Sequence, residues 1–217
     1  MLQAAPAAAL VSGRAAAALG VVTRINSSSA ALTFDDGPHP EGTPAVLDAL
    51  DELGVRASFF LSGEQVVRRP ALARLIVERG HVVGTHGFRH VLLTLRAPRA
   101  TANDLERSLD VIRHATGVSP HLYRPPYGVA SPAALFAARR RGLRTVLWSR
   151  WGRDWERRAT PASVASLAGR DLRGGEVILL HDADHYSTPA SWQVTVAALP
   201  AIVDAARRVE LRLETLR

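Results

Sequence analysis

Residues 30–38 are Ala30-Ala31-Leu32-Thr33-Phe34-Asp35-Asp36-Gly37-Pro38, an apolar run that ends in two carboxylates and a Gly-Pro turn. A short apolar run bounded by a turn is typical of a buried strand in a parallel sheet. Two adjacent carboxylates at the end of such a strand repel each other, and burial disfavours both charges unless a positive group neutralises them. The stretch therefore predicts a strand that ends beside a cation, and an Asx turn closed by Gly-Pro is the alternative.

Seven β-rich runs alternate with amphipathic segments from residue 30 onward. They cover residues 30–34, 56–61, 82–85, 120–123, 144–148, 176–180 and 209–213. Strands that alternate with helices predict βα units around a mostly parallel sheet. A complete eight-unit barrel typically needs about 250 residues. The 217 residues of this chain therefore favour an α/β fold with a distorted, incomplete (β/α)7 barrel in a single domain, with an open doubly wound sheet as the alternative.

Helix boundaries are marked by hydroxyl residues before prolines and by glycines. The predicted N-caps precede a proline at the first helical position, and they are Thr43, Ser131, Thr160 and Thr188. Thr101 and Asp104 resemble a capping box. The predicted helix ends are Gly54, Gly80, Gly117 and Gly142.

The first 29 residues differ in composition from the rest of the chain. Residues 4–22 are rich in alanine, but Ser12, Gly13 and Arg14 interrupt them and no basic segment precedes them. This is a poor match to a secretory signal, and it is too short and broken to span a bilayer as a helix. We expect residues 1–29 to form a leader or an appended helix. The compartment stays open, because the poor signal favours the cytoplasm but does not exclude export.

The composition excludes several kinds of chemistry. All 27 basic residues are arginines, and the chain has no lysine and no cysteine. Schiff-base lysines, thiol nucleophiles, disulfides and cysteine-ligated metals are therefore excluded. The net charge is +7, but the arginines are scattered along the chain. We therefore expect no nucleic-acid partner.

Polar residues follow the carboxyl ends of five predicted strands, which is the edge where parallel α/β folds carry their active sites. The motifs are Asp35-Asp36, His86-Gly87-Phe88-Arg89-His90, Arg124-Pro125-Pro126-Tyr127-Gly128, Arg153-Asp154-Trp155 and Leu179-Leu180-His181. Each alone has an ordinary structural explanation, such as a turn or a core tryptophan. Two histidines four residues apart with one aspartate make a three-ligand metal site with open positions, which is typical of catalytic sites.

These motifs, in this order, resemble the five motifs of the polysaccharide deacetylase family, also called carbohydrate esterase family 4 or the NodB-homology domain. The resemblance covers about residues 30–215, and we therefore expect the catalytic domain to be residues 30–217. It implies a divalent metal, usually Zn²⁺ with Co²⁺, Mn²⁺ or Ni²⁺ as alternatives, and an N-acetylated carbohydrate substrate. We also expect a monomer without a transmembrane segment.

The resemblance implies a role for each motif residue. Asp36, His86 and His90 correspond to the metal ligands. Asp35 corresponds to the catalytic base held by Arg124, and His181 to the catalytic acid tuned by Asp154. By the same resemblance, the Tyr127 N–H helps to hold the oxyanion, Leu179 lines the pocket for the acetyl methyl group, and Trp155 forms one wall.

One position departs from the family pattern. The family commonly has Ser or Thr directly after the first motif histidine, and this chain has Gly87. Loss of that hydroxyl predicts a weaker brace for the loop that carries His90. The expected activity is N-deacetylation of a chitooligosaccharide or peptidoglycan type of substrate. The alternatives are an O-acetyl xylan esterase, another amidohydrolase on the same barrel, and a catalytically silent carbohydrate-binding relative.

Overall fold

The computed structural model describes residue 16, residues 19–25 and residues 28–217. These residues contain nine strands in one sheet: β1 Val21–Val22, β2 Ala30–Asp35, β3 Ser58–Leu61, β4 Val82–Thr85, β5 Leu122–Tyr123, β6 Arg144–Val146, β7 Arg150–Trp151, β8 Val177–His181 and β9 Leu213–Glu214. The strand order is β1-β6-β5-β4-β3-β2-β8-β7, with β9 also paired to β2. Every pairing between these strands is parallel.

Helices connect most successive strands. The described helices are α1 Gly42–Glu52, α2 Gly63–Arg68, α3 Pro70–Glu78, α4 Pro98–Thr116, α5 Pro132–Arg140, α6 Pro161–Gly169 and α7 Ser191–Arg208, with 3₁₀ turns at Leu93–Leu95 and Pro126–Gly128. From β2 to β6 each new strand is added on the same side of the last one. A doubly wound sheet reverses direction at a switch point, whereas a barrel does not. The predicted α/β fold with an incomplete barrel in a single domain is confirmed.

Both faces of the central strands are buried, which explains why their sequences are apolar without alternation. On β3, Phe59 belongs to the core cluster that contains the helix residues Leu47 and Ile76. The next residue, Phe60, belongs to a second cluster with Leu179. Successive side chains of a strand point to opposite faces, so the sheet has one core beneath the helices and another on its opposite face.

Two of the predicted N-caps are confirmed. Ser131 Oγ accepts a hydrogen bond from the Ala134 N–H, and Thr160 Oγ1 accepts one from the Ser163 N–H. The four predicted glycines all follow or end helices with positive φ angles, as expected for left-handed helix ends: Gly54, Gly80, Gly117 and Gly142.

Three predicted helix starts are wrong, and in two of them a tertiary contact uses the hydroxyl group instead. Helix α1 begins at Gly42, and the Thr43 hydroxyl donates to the buried Asp182 carboxylate. Helix α7 begins at Ser191, and Thr188 Oγ1 donates to the carbonyl oxygen of Trp155. Thr101 and Asp104 do not form a capping box, because α4 begins three residues earlier, at Pro98.

The last predicted strand differs from the structure. Residues 209 and 210 form a turn, residues 211 and 212 have no regular structure, and β9 begins only at Leu213. Most of the predicted leader, namely residues 1–15, 17–18 and 26–27, lies outside the described residues. Within the same segment, Val21 and Val22 pair with Thr145 and Val146 of β6. A membrane-spanning helix is not found among the residues that the structure describes.

Candidate active site

The predicted site residues converge at the carboxyl ends of the strands. Asp35 and His181 are the last residues of the neighbouring strands β2 and β8, and they are paired in register. His86 directly follows β4, and Arg124 directly follows β5. Parallel pairing brings these strand ends to one edge of the sheet, so residues far apart in sequence share one site.

Three of these residues form a compact group of potential metal ligands. Asp36 Oδ1 lies 3.4 Å from His86 Nε2 and 3.4 Å from His90 Nε2. The ligand atoms of the three side chains all lie within 4.8 Å of one another. We call Asp36, His86 and His90 the triad. Asp36 has a φ of 78°, an uncommon backbone conformation for a residue other than glycine, which directs its carboxylate from the strand end.

The electrostatics of the triad fit a divalent cation. Asp36 Oδ1 is buried and has no hydrogen-bond partner among the described residues. Burial raises the pKa of Asp36. The charges of the neighbouring histidines, of which His90 has the largest effect, lower it by more. The pKa therefore lies below its ordinary value, and the carboxylate is ionised. Burial lowers the pKa of His90 to about 4, against the opposing effect of Asp36, so its imidazole is neutral. One carboxylate and two imidazoles are a donor set that suits Zn²⁺ and related divalent metals.

Asp35 forms a buried ion pair with Arg124. Arg124 Nη1 lies 2.7 Å from Asp35 Oδ1 and also donates to Thr33 Oγ1 at 2.9 Å. The remaining guanidinium nitrogens donate to the carbonyl oxygens of Val146 and Leu147. Arginine stays protonated in proteins, so this guanidinium supplies a fixed positive charge beside Asp35 and holds its carboxylate in one orientation.

His181 is paired with Asp154 on the other side of the triad. Its Nδ1 lies 3.0 Å from Asp154 Oδ1, and its backbone N–H donates to Asp154 Oδ2 at 2.7 Å. Thr195 Oγ1 also donates to Asp154 Oδ2, at 2.7 Å. Burial alone lowers the pKa of His181, but Asp154, followed by Asp36 and Asp35, outweighs burial and raises the pKa to about 9. At neutral pH the ring therefore carries protons on both nitrogens.

The three predicted substrate-binding residues surround the same strand ends. Tyr127 has a φ of 60°, and its ring centroid lies 4.3 Å from that of His90. Leu179 lies two residues before His181 on β8 and is 3% exposed. The Trp155 ring meets the His181 ring edge to face at 5.2 Å. Each of these residues therefore lies on or beside an element that carries a triad residue or His181.

Asp104 braces the loop that carries both histidines, and the sequence analysis missed this contact. Asp104 Oδ2 accepts hydrogen bonds from the Phe88 N–H at 2.8 Å and the Arg89 N–H at 3.4 Å. Its Oδ1 pairs with Arg96 Nη1 at 2.6 Å. The carboxylate therefore supplies a brace for a loop in which Gly87 has no side chain. The sequence does indicate that Asp104 is buried. Asp104 lies on the same face of the helix as the buried Ser108 and Ile112, because the three residues are four positions apart, and this face points inward.

Tyr186 is the second residue that the sequence analysis missed. Its ring is stacked on that of His90, with centroids 4.2 Å apart and planes at 9°. Its hydroxyl donates to Glu64 Oε1 at 2.5 Å. Tyr186 lies in the loop after β8, and nothing in its local sequence indicates which strand end it reaches.

A second group of possible ligands, His39, Asp184 and His185, is held by hydrogen bonds instead. His39 Nδ1 accepts from the backbone N–H groups of Glu41 and Gly42, so a neutral ring carries its proton on Nε2. That nitrogen faces Asp184 Oδ1 at 3.1 Å. The arrangement leaves no lone pair on His39 for a metal, and this group connects the residues after β2 to the loop after β8.

Comparison with known proteins places the chain in a family. A family model described as Polysaccharide deacetylase matches residues 24–146. A chitooligosaccharide deacetylase from Azorhizobium caulinodans is 35% identical over 207 residues, which cover 91% of this chain and 98% of that protein.

Two further proteins show the extent of the similarity. The family 4 carbohydrate esterase from Streptomyces lividans, solved in complex with acetate, superimposes with a TM-score of 0.77 at 31% identity, over 86% of this chain and 91% of that one. The peptidoglycan-N-acetylglucosamine deacetylase PgdA of Listeria monocytogenes is 36% identical over 170 residues, or 78% of this chain. The match covers 35% of PgdA, so the chain spans about a third of the length of that relative. The family match, the near full-length relative and the shared fold together show that this chain belongs to the polysaccharide deacetylase family.

Proposed function

We propose that this protein is a metal-dependent hydrolase that removes N-acetyl groups from an amino-sugar polymer or oligomer of chitooligosaccharide or peptidoglycan type. The observation that carries the proposal is the position of two acid–base groups beside the triad. Asp35 Oδ2 lies 4.0 Å from His86 Nε2, and His181 Nε2 lies 3.9 Å from Asp36 Oδ2. The names of the Azorhizobium and Listeria relatives supply the substrate classes.

The triad would hold the metal through Asp36 Oδ1, His86 Nε2 and His90 Nε2, the atoms that lie closest together. We propose Zn²⁺, with Co²⁺, Mn²⁺ or Ni²⁺ as alternatives that use the same donors. When bound, such a metal supplies Lewis-acid chemistry, because it polarises a carbonyl oxygen and lowers the pKa of water.

The protein's own residues then move two protons. Asp35, held in place by Arg124, takes a proton from the attacking water as the oxygen–carbon bond to the acetyl group forms. His181 gives a proton to the sugar nitrogen as the carbon–nitrogen bond breaks, and Asp154 stabilises its charged form. The products are acetate and a free amino sugar. No covalent enzyme intermediate is needed.

Three further residues are proposed to surround the acetyl group. The backbone N–H of Tyr127 would donate to the oxyanion that develops on the acetyl carbonyl. Leu179, nearly buried on β8, would contact the methyl group. Trp155, whose ring packs against His181, would form a wall of the site.

The experiment that tests the proposal is a substrate panel with metal-loaded protein. The panel contains N-acetylglucosamine oligomers, chitin, peptidoglycan and acetylated xylan, and both acetate and free amine are measured. We expect equal amounts of acetate and amine from an N-acetylated substrate, loss of activity with a chelator, and recovery with Zn²⁺. Acetate from xylan alone would identify an O-acetyl esterase, and no acetate from any substrate would overturn the proposal. The monomeric state stays a prediction, to be checked by analytical ultracentrifugation.

A further inference from the structure

No hydrogen bond from a described residue to His90 Nδ1 fixes the orientation of the His90 ring. In metal sites, the ring nitrogen that does not bind the metal usually donates to a carboxylate, a carbonyl or water, and this contact fixes the ring. His90 Nδ1 is buried and has no carboxylate or carbonyl partner among the described residues. Among these residues, contacts other than hydrogen bonds therefore hold the ring with Nε2 facing Asp36.

Aromatic stacking provides that contact. The Tyr186 ring lies almost parallel to the His90 ring, at 9° and a centroid distance of 4.2 Å. The Tyr127 ring also contacts His90, at 4.3 Å and a tilt of 60°. A flat stack of this kind leaves the imidazole little freedom to turn about its bond to the Cβ atom.

The Tyr186 ring is itself fixed through its hydroxyl group. The hydroxyl donates to Glu64 Oε1 at 2.5 Å, and it also meets Ser62 Oγ at 3.2 Å and Gln65 Nε2 at 3.3 Å. All three partners lie within residues 62–65, at the start of helix α2. The far end of the Tyr186 ring is therefore anchored to one short segment.

The same segment also holds the loop that carries the histidines. The Gly63 N–H donates to the Gly87 carbonyl oxygen at 2.9 Å, and the Glu64 N–H donates to the Phe88 carbonyl oxygen at 2.9 Å. Residues 62–65 thus contact Tyr186 through side chains and the His86–His90 loop through the backbone. The spacing between Tyr186 and His90 is set by this common support.

We infer that Tyr186 is a positioning residue that holds His90 in the orientation needed for metal binding, with Glu64 as the anchor of its hydroxyl. The inference rests on the proposed function, because it assigns Tyr186 a role toward the metal of that site. Tyr186 follows His181 by five residues, so the end of β8 and the loop after it carry both the proposed acid and the support of a metal ligand.

The test is the metal affinity of Tyr186 variants. Zn²⁺ dissociation constants are measured by competition with a chelator, and the ligand geometry is followed by the visible spectrum of the Co²⁺ form. Tyr186→Leu removes the stack and should weaken Zn²⁺ binding by about 10- to 100-fold, the usual effect of losing an outer contact of a ligand. Tyr186→Phe keeps the ring and should recover most of the affinity. Glu64→Ala, which removes only the hydroxyl anchor, should give a smaller loss in the same direction and serves if Tyr186→Leu does not fold.

Trp192→Leu is the matched control, because the Trp192 ring packs near His39 at 6.1 Å rather than on His90. It should lower the melting temperature of the metal-free protein without changing the Zn²⁺ dissociation constant. Unchanged affinity and an unchanged Co²⁺ spectrum in Tyr186→Leu, or in Glu64→Ala if only that variant folds, would overturn the inference and leave the proposed function standing. A wild-type protein that binds no divalent metal would instead overturn the proposed function, and the inference with it.

Discussion

Arg124 Nη1 lies 2.7 Å from Asp35 Oδ1, and the two side chains are 0% and 3% exposed. The guanidinium also stacks on the Phe60 ring, with its central carbon 4.0 Å from the ring centroid. Arg124 is thus enclosed by the barrel, and Asp35 is the only carboxylate within ion-pairing distance of it among the described residues. Each partner keeps the other's buried charge from being isolated, so the proposed catalytic base also contributes to stability.

Removal of Asp35 should therefore destabilise the protein strongly. We expect Asp35→Ala to lower the free energy of unfolding by about 3–5 kcal/mol, because it leaves a buried guanidinium without its counter-charge. Asp35→Asn should cost less, since its amide oxygen still accepts from Arg124. Urea unfolding of the metal-free proteins measures both.

Asp48→Ala is the control for this experiment. Asp48 pairs with Arg79 Nη1 at 2.5 Å, but its side chain is 62% exposed. Exposed pairs contribute at most about 1 kcal/mol. If Asp35→Ala were no more destabilising than Asp48→Ala, the buried pair would have no structural role.

The Asp154–His181 pair predicts the alkaline limit of activity. His181 acts as an acid only when protonated, so kcat/KM should fall as pH rises through its pKa of about 9. Asp154→Asn removes the carboxylate that raises this pKa, and the alkaline limit should move down toward 6.5, the ordinary value. The pH profile of acetate release measures the shift. Asp184→Asn, which alters a carboxylate paired with His39, should leave the limit in place. An alkaline limit that does not move in Asp154→Asn would remove His181 from the role of acid.

Gly87→Ser should not strengthen metal binding, although the family commonly carries Ser or Thr at this position. Gly87 has a φ of +88°, and a Cβ atom at this position would lie 3.3 Å from Asp104 Oδ2. We expect a loss of about 1–2 kcal/mol in stability from the left-handed backbone. Zn²⁺ affinity should also fall, because the new Cβ crowds the Asp104 brace.

The matched variant for this comparison is Gly54→Ser. Gly54 has a φ of +67° with open space around its Cβ position. The Gly54→Ser variant should therefore lose stability because of its left-handed backbone, without any change in Zn²⁺ affinity. Tighter metal binding by Gly87→Ser than by wild type would show that the loop lacks a brace after all.

His81 predicts a loss of stability at acid pH. Its Nδ1 accepts from the Ala57 N–H at 3.1 Å, and burial, followed by the charge of Arg56, lowers its pKa from 6.5 to about 4. The unfolded chain therefore binds a proton at His81 more readily than the folded chain does. The contribution of His81 to the free energy of unfolding is fully present above pH 6.5 and is lost as the pH falls toward 4. His81→Asn keeps an acceptor near the Ala57 N–H and should flatten this part of the pH dependence in urea unfolding. An equal slope in wild type and variant would contradict the assignment.

The sequence predicted which residues meet in space where polar side chains follow strand ends. Asp35, Asp36, His86 and His181 lie at the ends of apolar strands, and parallel pairing necessarily brings such ends together. Asp104 and Tyr186 could not be placed in the same way. Their partners are set by how a helix and a loop approach the strand ends, which depends on tertiary packing rather than on local pattern.

The local signals of helices were predictive only where no tertiary contact competed for the side chain. Ser131 and Thr160 are N-caps as expected. Thr43 carries the same signal, but its hydroxyl satisfies the buried Asp182 instead. The two-residue strands β1 and β7 also escaped prediction, because two residues are too few to show a periodicity.

We propose that Asp35 and His181 act as base and acid beside a metal held by Asp36, His86 and His90. The decisive measurement is acetate release from a chitooligosaccharide by Asp35→Asn at the metal content of the wild-type protein. We predict that turnover falls by about 10²- to 10⁴-fold while the bound metal is unchanged. Turnover at the wild-type rate in the metal-loaded variant would remove Asp35 from the role of base.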